Sequence, residues 1–335
     1  MLLFLEGEHT TMLDFISALP GAVSQGLIWG IMAIGVYITY KILDIADLTV
    51  DGSFCTGGAV FVVLFTGGTN IWVALLAALL AGMLAGLATG LLHTACGIPA
   101  ILSGILTQMA LYSINMAIMG MKNTVAISVT DPATLDRLVV SLRFVQDVAK
   151  GARPLYRHPI FVVGLFTAVI IAVLYWFFGT ELGCSLRATG SNPNMARAQG
   201  INTDVTKVLG LMVSNGLVAL SGALMAQYSS ASEINMGRGA IVIGLAAVII
   251  GEVAFSKIFH NFGLKLLAVS IGGILYYIVI QAVLAMGLNT NFLKLLSAVV
   301  VAVFLSIPYW KGKYIHKKTA VPAQAGAKMG GDHNA

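Results

Sequence analysis

Polar and ionisable side chains gather in two short stretches, ILDIADLTVDGSF and SSASEINMGRGA, and each stretch interrupts long apolar sequence. Ionisable groups at membrane depth are costly, and they usually face a cavity or a solute pathway. We therefore predict that the two stretches line a translocation pathway. The predicted pathway residues are Asp47, Thr49, Asp51, Ser53, Glu233, Asn235 and Arg238.

A purely structural role is the alternative for the first stretch. Asp51 and Ser53 are residue types that cap helices, and both lie at the start of a short apolar run. Asp44 and Asp47 would fit the headgroup layer equally well. The carboxylates do not match a calcium loop, because such a loop needs more oxygen ligands at set spacings.

Motifs for nucleotide binding and metal catalysis are absent from the sequence, which contains no G-x-x-x-x-G-K-[ST] and no H-E-x-x-H. We therefore expect no enzymatic activity, no cofactor and no metal site in this chain. The cysteines and the histidines beside apolar segments are too widely separated to form a cluster: Cys55, Cys96, Cys184, His93, His158 and His260.

The elements that must position the polar stretches are membrane helices. Hydrophobic residues make up 58% of the chain and charged residues 10%, whereas soluble domains carry roughly 25% charged residues. No Asp, Glu, Lys or Arg occurs from Gly52 to Met121. Since a transmembrane helix needs about 20 apolar residues, the composition predicts a polytopic membrane protein.

The fold class that we predict is all-α, with about 8–10 transmembrane segments in two inverted-topology halves. Segments 53–66 and 240–254 are short for a full span, which is typical of broken helices that line a pathway. The apolar segments are 22–40, 53–66, 71–92, 99–121, 158–180, 207–227, 240–254, 266–288 and 290–310.

The distribution of Lys and Arg predicts the orientation, because basic residues favour the cytoplasmic side. The basic tail after residue 310 is expected to be cytoplasmic, and alternation places residues 181–206 and Lys41 on the same side. Loop 122–157 then falls outside, although it carries several basic residues. The predicted domains are an external or interfacial segment 1–21, a membrane domain 22–314 and a disordered cytoplasmic tail 315–335.

An internal repeat relates the two polar stretches. A helix that includes Gly26 and a helix that includes Gly216 each lead to a polar break and then to a short apolar run. On the predicted topology the two helices cross the membrane in opposite directions. This is the pattern of transport proteins whose pathway lies between inverted halves.

Two further sequence patterns lie within apolar helices. The sequence does not identify what the residues of either pattern contact. Gly82, Gly86 and Gly90 form a small-xxx-small ridge that allows close helix packing, within one subunit or between subunits. Gln108 and Asn115 are polar residues in an apolar helix. We favour hydrogen bonds between helices over solute contacts for both of them.

The stretch SNPNMARAQG predicts a short, firmly capped helix on the cytoplasmic side. Asn192 is a good N-cap, Pro193 suits the first helical position and Gly200 ends the helix. A helix of fewer than about two turns is unstable alone in water, so this helix needs a surface to pack against. That surface is either its own membrane domain or a groove on a soluble partner.

The same stretch carries a family resemblance. LRATGSNPNMARAQGINTD, followed by a Gly- and Ala-rich membrane helix, resembles the ATPase-contacting loop of bacterial ABC importer permeases of the branched-chain amino-acid type. GLIWGIMAIGVYITYKILDIADLTVDGSF resembles the first helix of that family and the break after it. Residues 46–52 replace the usual Asn-Phe-Ala-His-Gly-Glu-like segment, and they look closer to permeases associated with tryptophan or tyrosine.

The resemblance implies a permease subunit of an importer for a small solute, an amino acid and in particular an aromatic one. It implies a homodimer in the bacterial plasma (inner) membrane, with a cytoplasmic ATPase subunit, an external solute-binding protein and no nucleic acid as partners. The ATPase-coupling residues are then expected to be Asn192, Pro193, Met195, Arg197, Ala198 and Gly200.

An ion-coupled secondary transporter is the alternative function. In that case Asp47, Asp51 or Glu233 would carry the coupling ion or proton. The absence of an ATP-binding motif fits both functions, so only the capped helix at 192–199 favours the importer.

Overall fold

The structure is a computed structural model, and it describes residues 2–127, 159–255, 258–259, 261–285 and scattered positions from 295 to 306. Side chains are described from residue 18 onward. Most of loop 122–157, most of the apolar segment 290–310 and all of the tail 315–335 therefore lie outside the described residues.

Helices make up nearly all of the described chain, and one short strand pair joins them. The elements, in chain order, are α1 (Leu2–Tyr37), a π-helical segment (Ile38–Ile42), α2 (Val50–Thr66), α3 (Ile71–Thr94), α4 (Ala100–Ile118), β1 (Thr124–Ala126), α5 (Pro159–Phe177), α6 (Glu181–Ser191), α7 (Pro193–Ala198), α8 (Thr203–Ser229), β2 (Ala231–Glu233), α9 (Ala240–Phe255) and α10 (Phe262–Ala285).

The predicted all-α polytopic fold is confirmed. Within the described residues, six helices are long and apolar enough to cross a membrane, and the first of these spans begins at Ala18. The two segments that the sequence marks as short form α2 and α9, which are 17 and 16 residues long. Each of them follows a long helix and a break, as the internal repeat predicts.

Two hydrogen bonds show that α1 and α8 run in opposite directions. Ser221 Oγ donates to the Ile28 carbonyl at 2.7 Å, and Ser214 Oγ donates to the Gly35 carbonyl at 2.7 Å. The residue number rises along α1 as it falls along α8, so the helices are antiparallel. The long helix of each half therefore crosses the bilayer in the opposite sense, which is the inverted topology predicted above.

Each half also packs its third helix against the long helix of the other half. Gly82, Gly86 and Gly90 of α3 lie against the α8 backbone, where a Cβ on any of them would meet atoms of Asn215, Leu211 or Val208. In the second half, α10 lies equally close to α1, with Gly273 against the Gly26 carbonyl. The glycine ridge on α3 thus packs within the subunit.

The ends of the helices separate two faces of the molecule. On one face, Lys41 Nζ lies 3.2 Å from a Glu252 carboxylate oxygen, and the neighbouring Ile42 carbonyl lies against Gly190 of α6, the helix that leads to α7. On the other face β1 pairs antiparallel with β2, and Thr124 lies opposite Glu233. The strand pair follows α4 and α8 at the ends remote from α7. This places residues 122–127 and the loop 181–206 on opposite faces, as the predicted topology requires.

Candidate functional site

The break between the π-helical segment and α2 is held by a buried hydrogen-bond network. Asn215 Nδ2 of α8 donates to Asp47 Oδ2 at 2.7 Å, and the Thr49 backbone N–H donates to Asp47 Oδ1 at 2.9 Å. Ser53 Oγ donates to Asn215 Oδ1 at 2.6 Å. Asp47 is only 2% exposed, and Thr49, Ser53 and Asn215 are fully buried. The predicted pathway residues Asp47, Thr49 and Ser53 therefore lie between helices and not on an open cavity.

The network extends to α3 through a hydroxyl pair. Thr49 Oγ1 and Thr89 Oγ1 are 2.7 Å apart, and Thr89 Oγ1 also donates to the Ala85 carbonyl at 3.2 Å. A buried polar group is costly unless it is hydrogen-bonded, and these contacts satisfy the groups in pairs. Sequence reasoning missed Asn215 and Thr89, although a polar residue inside an apolar helix is itself a signal for such a network.

Replacing Asp47 by leucine is expected to reduce stability by about 2–4 kcal/mol, because the Asn215 amide and the Thr49 N–H lose their buried acceptor. Asp47→Asn is the matched control, and we expect it to cost about 1 kcal/mol. Its amide keeps the shape and the acceptor oxygen for the Thr49 N–H, and the Asn215 amide loses one acceptor but still donates to the Leu211 carbonyl at 3.0 Å. In thermal unfolding of the purified chain in detergent, the midpoint of Asp47→Asn should lie slightly below that of the unmodified chain. The midpoint of Asp47→Leu should lie far below both. Equal midpoints for the two variants would contradict this role.

Asp51 connects the two halves of the repeat. Its Oδ2 accepts from the Gly239 N–H at 2.9 Å and its Oδ1 accepts from the Ile241 N–H at 2.9 Å. The N-terminus of a helix carries free N–H groups and partial positive charge. Asp51 therefore caps α9 from the first turn of α2, so that the N-termini of both short helices meet at its carboxylate.

A cavity of about 570 Å³ opens beside this junction, between α2, α4 and the segment 234–238. Of the predicted pathway residues, Asp51, Asn235 and Arg238 line it. Glu233 lies exposed on β2 and is not part of the lining. The polar lining residues contributed by α4 are Gln108, Tyr112, Ser113 and Asn115.

The predicted short helix at 192–199 is confirmed as α7. Asn192 Oδ1 accepts from the Met195 N–H at 3.1 Å, Pro193 is its first residue, and Gly200 follows with φ of +82°. Ala196 is fully buried against the rest of the chain. Met195 is 54% exposed and Ala198 is also exposed, so α7 presents its outer side away from the membrane domain.

Arg197 of α7 is engaged within its own chain. Its Nε donates to Thr203 Oγ1 at 2.7 Å, and its Nη2 lies 3.3 Å from Asp204 Oδ1. Both partners belong to the first turn of α8. These contacts fix α7 against the start of α8 and leave the exposed side chains of Met195 and Ala198 as its free face.

The helix before α7, α6, contacts the end of the π-helical segment directly. The Gly190 backbone lies on the Ile42 carbonyl, where an added Cβ would overlap the oxygen. Leu43 and Leu186 side chains meet at Gly210 of α8. The end of the π-helical segment is therefore in contact with α6, only a few residues before the break that carries Asp47. π-helical turns of this kind are frequent at functional sites.

A family model described as the branched-chain amino acid transport system / permease component matches residues 19–307. The chain belongs to this permease family. Its members are transport permease subunits and not enzymes, which agrees with the absence of nucleotide motifs in the sequence. The helical fold described above, with its broken helices and α7, is therefore the fold of a membrane transport protein.

Two curated relatives span most of the chain. A tyrosine transport system permease protein of Clostridioides difficile (strain R20291) is 38% identical over 290 residues, which cover 87% of this chain and 91% of that protein. An uncharacterized protein of Rickettsia prowazekii (strain Madrid E) is 33% identical over 287 residues, which cover 85% of this chain and 95% of that protein. The likeness to permeases associated with aromatic amino acids is therefore confirmed.

A solved structure supports the fold alone. PsaBC from Streptococcus pneumoniae, in complex with Fab, aligns with a TM-score of 0.54 over 91% of this chain and 99% of that chain. The two sequences are 14% identical, so this likeness concerns the helix arrangement and not the solute.

Proposed function

We propose that the chain is the membrane subunit of an ABC importer in the bacterial plasma (inner) membrane. Two copies would form the pore, a separate cytoplasmic ATPase subunit would drive it, and an external binding protein would deliver the solute. The observation that carries this proposal is α7. A helix of six residues with a buried anchor, Ala196, and an exposed outer side has the form of a contact element for a soluble partner.

The solute is proposed to be an amino acid, and tyrosine is the first candidate. The support is the relative named as a tyrosine transport system permease, whose similarity covers nearly the whole chain. Residues 46–52, which depart from the usual segment of the branched-chain type, point in the same direction.

Transmission from the ATPase to the membrane domain would run through α6. Movement of α7 shifts α6, and Gly190 of α6 lies on the Ile42 carbonyl at the end of the π-helical segment. The break that follows carries Asp47, and its hydrogen bond to Asn215 would close the route between the cavity and the cytoplasmic face. Displacement of the break would open this barrier, because the network has to come apart for the helices to separate.

Purification of the tagged full-length chain from its native membranes tests the class of transporter. We expect an ATPase to co-purify, and we expect ATP, not an ion gradient, to drive radiolabelled tyrosine uptake into proteoliposomes that contain the complex. If an imposed proton or sodium gradient drove uptake in the absence of any ATPase, the result would favour the secondary transporter instead, with Asp47 as its coupling group.

A further inference from the structure

The cavity beside Asp51 occupies the outer half of the proposed transport route. Tyr112 and Asn115 lie near the end of α4 that leads to β1, and Asn235 lies two residues after β2. Below the cavity, the buried network around Asp47 separates it from the face that carries α7. A solute that enters from the outer face would therefore meet this cavity before the closed part of the protein.

One buried acceptor in the cavity wall has no partner. Asn115 is 1% exposed, and its Oδ1 accepts no hydrogen bond among the described residues. Its Nδ2 reaches the Gly52 carbonyl only at 3.5 Å. Leaving a buried acceptor unsatisfied costs about 1–3 kcal/mol, so a solute that brings a hydrogen-bond donor to Asn115 would bind favourably.

A cation lines the same cavity. In the part of the chain that the structure describes, Arg238 has no carboxylate within ion-pair distance. The nearby Asp51 carboxylate accepts from the N–H groups of Gly239 and Ile241, and it attracts Arg238 without forming an ion pair with it. A guanidinium binds carboxylates through two parallel hydrogen bonds, so Arg238 is available for an anionic group of a solute.

The remaining wall is apolar. Ile105, Met109 and Ile234 line it together with Tyr112. A volume of about 570 Å³ lies within the range of small-molecule sites. Apolar side chains with a few polar groups are the usual lining of such sites, in which the polar groups fix the orientation of the ligand.

We infer that this cavity is a solute-binding subsite within a single copy of the chain. It takes a small molecule with an anionic carboxylate for Arg238, a donor such as an ammonium for Asn115 Oδ1, and an apolar or aromatic body for the α4 wall. The inference rests on the proposed permease function, and it assigns to two residues the recognition of the two charged ends of the solute.

Three related probes separate these contributions: L-tyrosine, tyramine, which lacks the carboxylate, and 3-(4-hydroxyphenyl)propionate, which lacks the ammonium. Binding is measured by calorimetry on the purified full-length chain in lipid nanodiscs. Arg238→Gln is expected to raise the Kd of tyrosine and of the propionate by about tenfold or more and to leave tyramine within about twofold.

Asn115→Leu should give the complementary result. We expect it to raise the Kd of tyrosine and of tyramine by about tenfold and to leave the propionate nearly unchanged. Leucine has a similar volume and removes the unpartnered oxygen, so the thermal midpoint should stay the same or rise. A merely structural Asn115 would instead lower that midpoint and affect all three probes alike.

Lys265→Gln is the matched control, because it removes an exposed cation of α10 that does not line the cavity, and it should leave the binding of all three probes unchanged. The subsite is wrong if the unmodified chain binds none of the probes, or if Arg238→Gln and Asn115→Leu bind tyrosine as the unmodified chain does. Co-purification of an ATPase would still support the importer in that case. Conversely, the expected binding pattern in a chain that recruits no ATPase would support the subsite and contradict the importer.

Discussion

Ala198→Glu is expected to abolish ATP-driven uptake, with a loss of about hundredfold or more in ATPase affinity, while the chain still folds and inserts in the membrane. Ala198 is exposed on the outer side of α7, so a glutamate there costs the isolated chain little. In a groove of the ATPase, the same carboxylate would be buried without a partner, which costs several kcal/mol. Pull-down of the ATPase by the tagged variant and tyrosine uptake measure the two effects.

The backbone turn after α7 offers a matched series for the same surface. Gly200 has φ of +82° with open space around it, and Gly97 has φ of +68° in another turn, also with open space around it. Valine is strained at both positions, whereas asparagine tolerates a left-handed conformation. We expect Gly200→Val to lose the ATPase, and Gly200→Asn and Gly97→Val to retain it. If Ala198→Glu kept full uptake and full ATPase binding, α7 would not be the coupling element.

Gly190→Ala is expected to separate ATP hydrolysis from transport. A single added methyl group at this position overlaps the Ile42 carbonyl, and it must push α6 away from the end of the π-helical segment. Overlap in a packed interior costs about 1–3 kcal/mol. Because α7 itself is unchanged, the ATPase should still bind and hydrolyse ATP, whereas tyrosine uptake per ATP should fall at least about tenfold.

Gly164→Ala in α5 is the control for this relay, since a Cβ at Gly164 meets no atom of the described residues within 4 Å. Alanine is favoured over glycine in a helix, so this variant should transport normally. The ratio of solute moved to ATP hydrolysed, measured in proteoliposomes, distinguishes the two variants. An unchanged ratio in Gly190→Ala would mean that the contact between α6 and the π-helical segment does not transmit the motion.

The short capped helix α7 was the feature that the sequence described best. Its start depends on the Asn192 side chain and the Met195 N–H three residues later, and its end on the conformation of Gly200. These are interactions between near neighbours, so residue order alone specifies them. Apolar length specifies the membrane helices in the same way, because a span needs only enough consecutive residues to cross the bilayer.

The sequence did not determine the role of each polar side chain. The same residue types in one stretch had three outcomes: Asp47 is buried in a network, Asp51 caps a helix of the other half, and Asp44 has left-handed backbone with φ of +56°. Asn115 makes the interhelical hydrogen bond that the sequence suggested, from Nδ2 to the Gly52 carbonyl at 3.5 Å, yet its oxygen has no partner among the described residues and it lines the cavity. Composition cannot separate these cases, because the partner lies on another helix.

The sequence by itself therefore determined that this protein lies in a membrane, and it determined the helices, the inverted repeat and the capped helix. Each of these follows from local spacing or from total apolar length. Only the tertiary structure decided that the ridge at Gly82 packs within the subunit, that Asp51 caps α9 and that Asn215 completes the network around Asp47. Those contacts join residues more than a hundred positions apart. They depend on which helix of one half packs against which helix of the other half. The axial register of that packing is set where a glycine contacts the backbone of a distant helix, and a short stretch of sequence does not contain both partners.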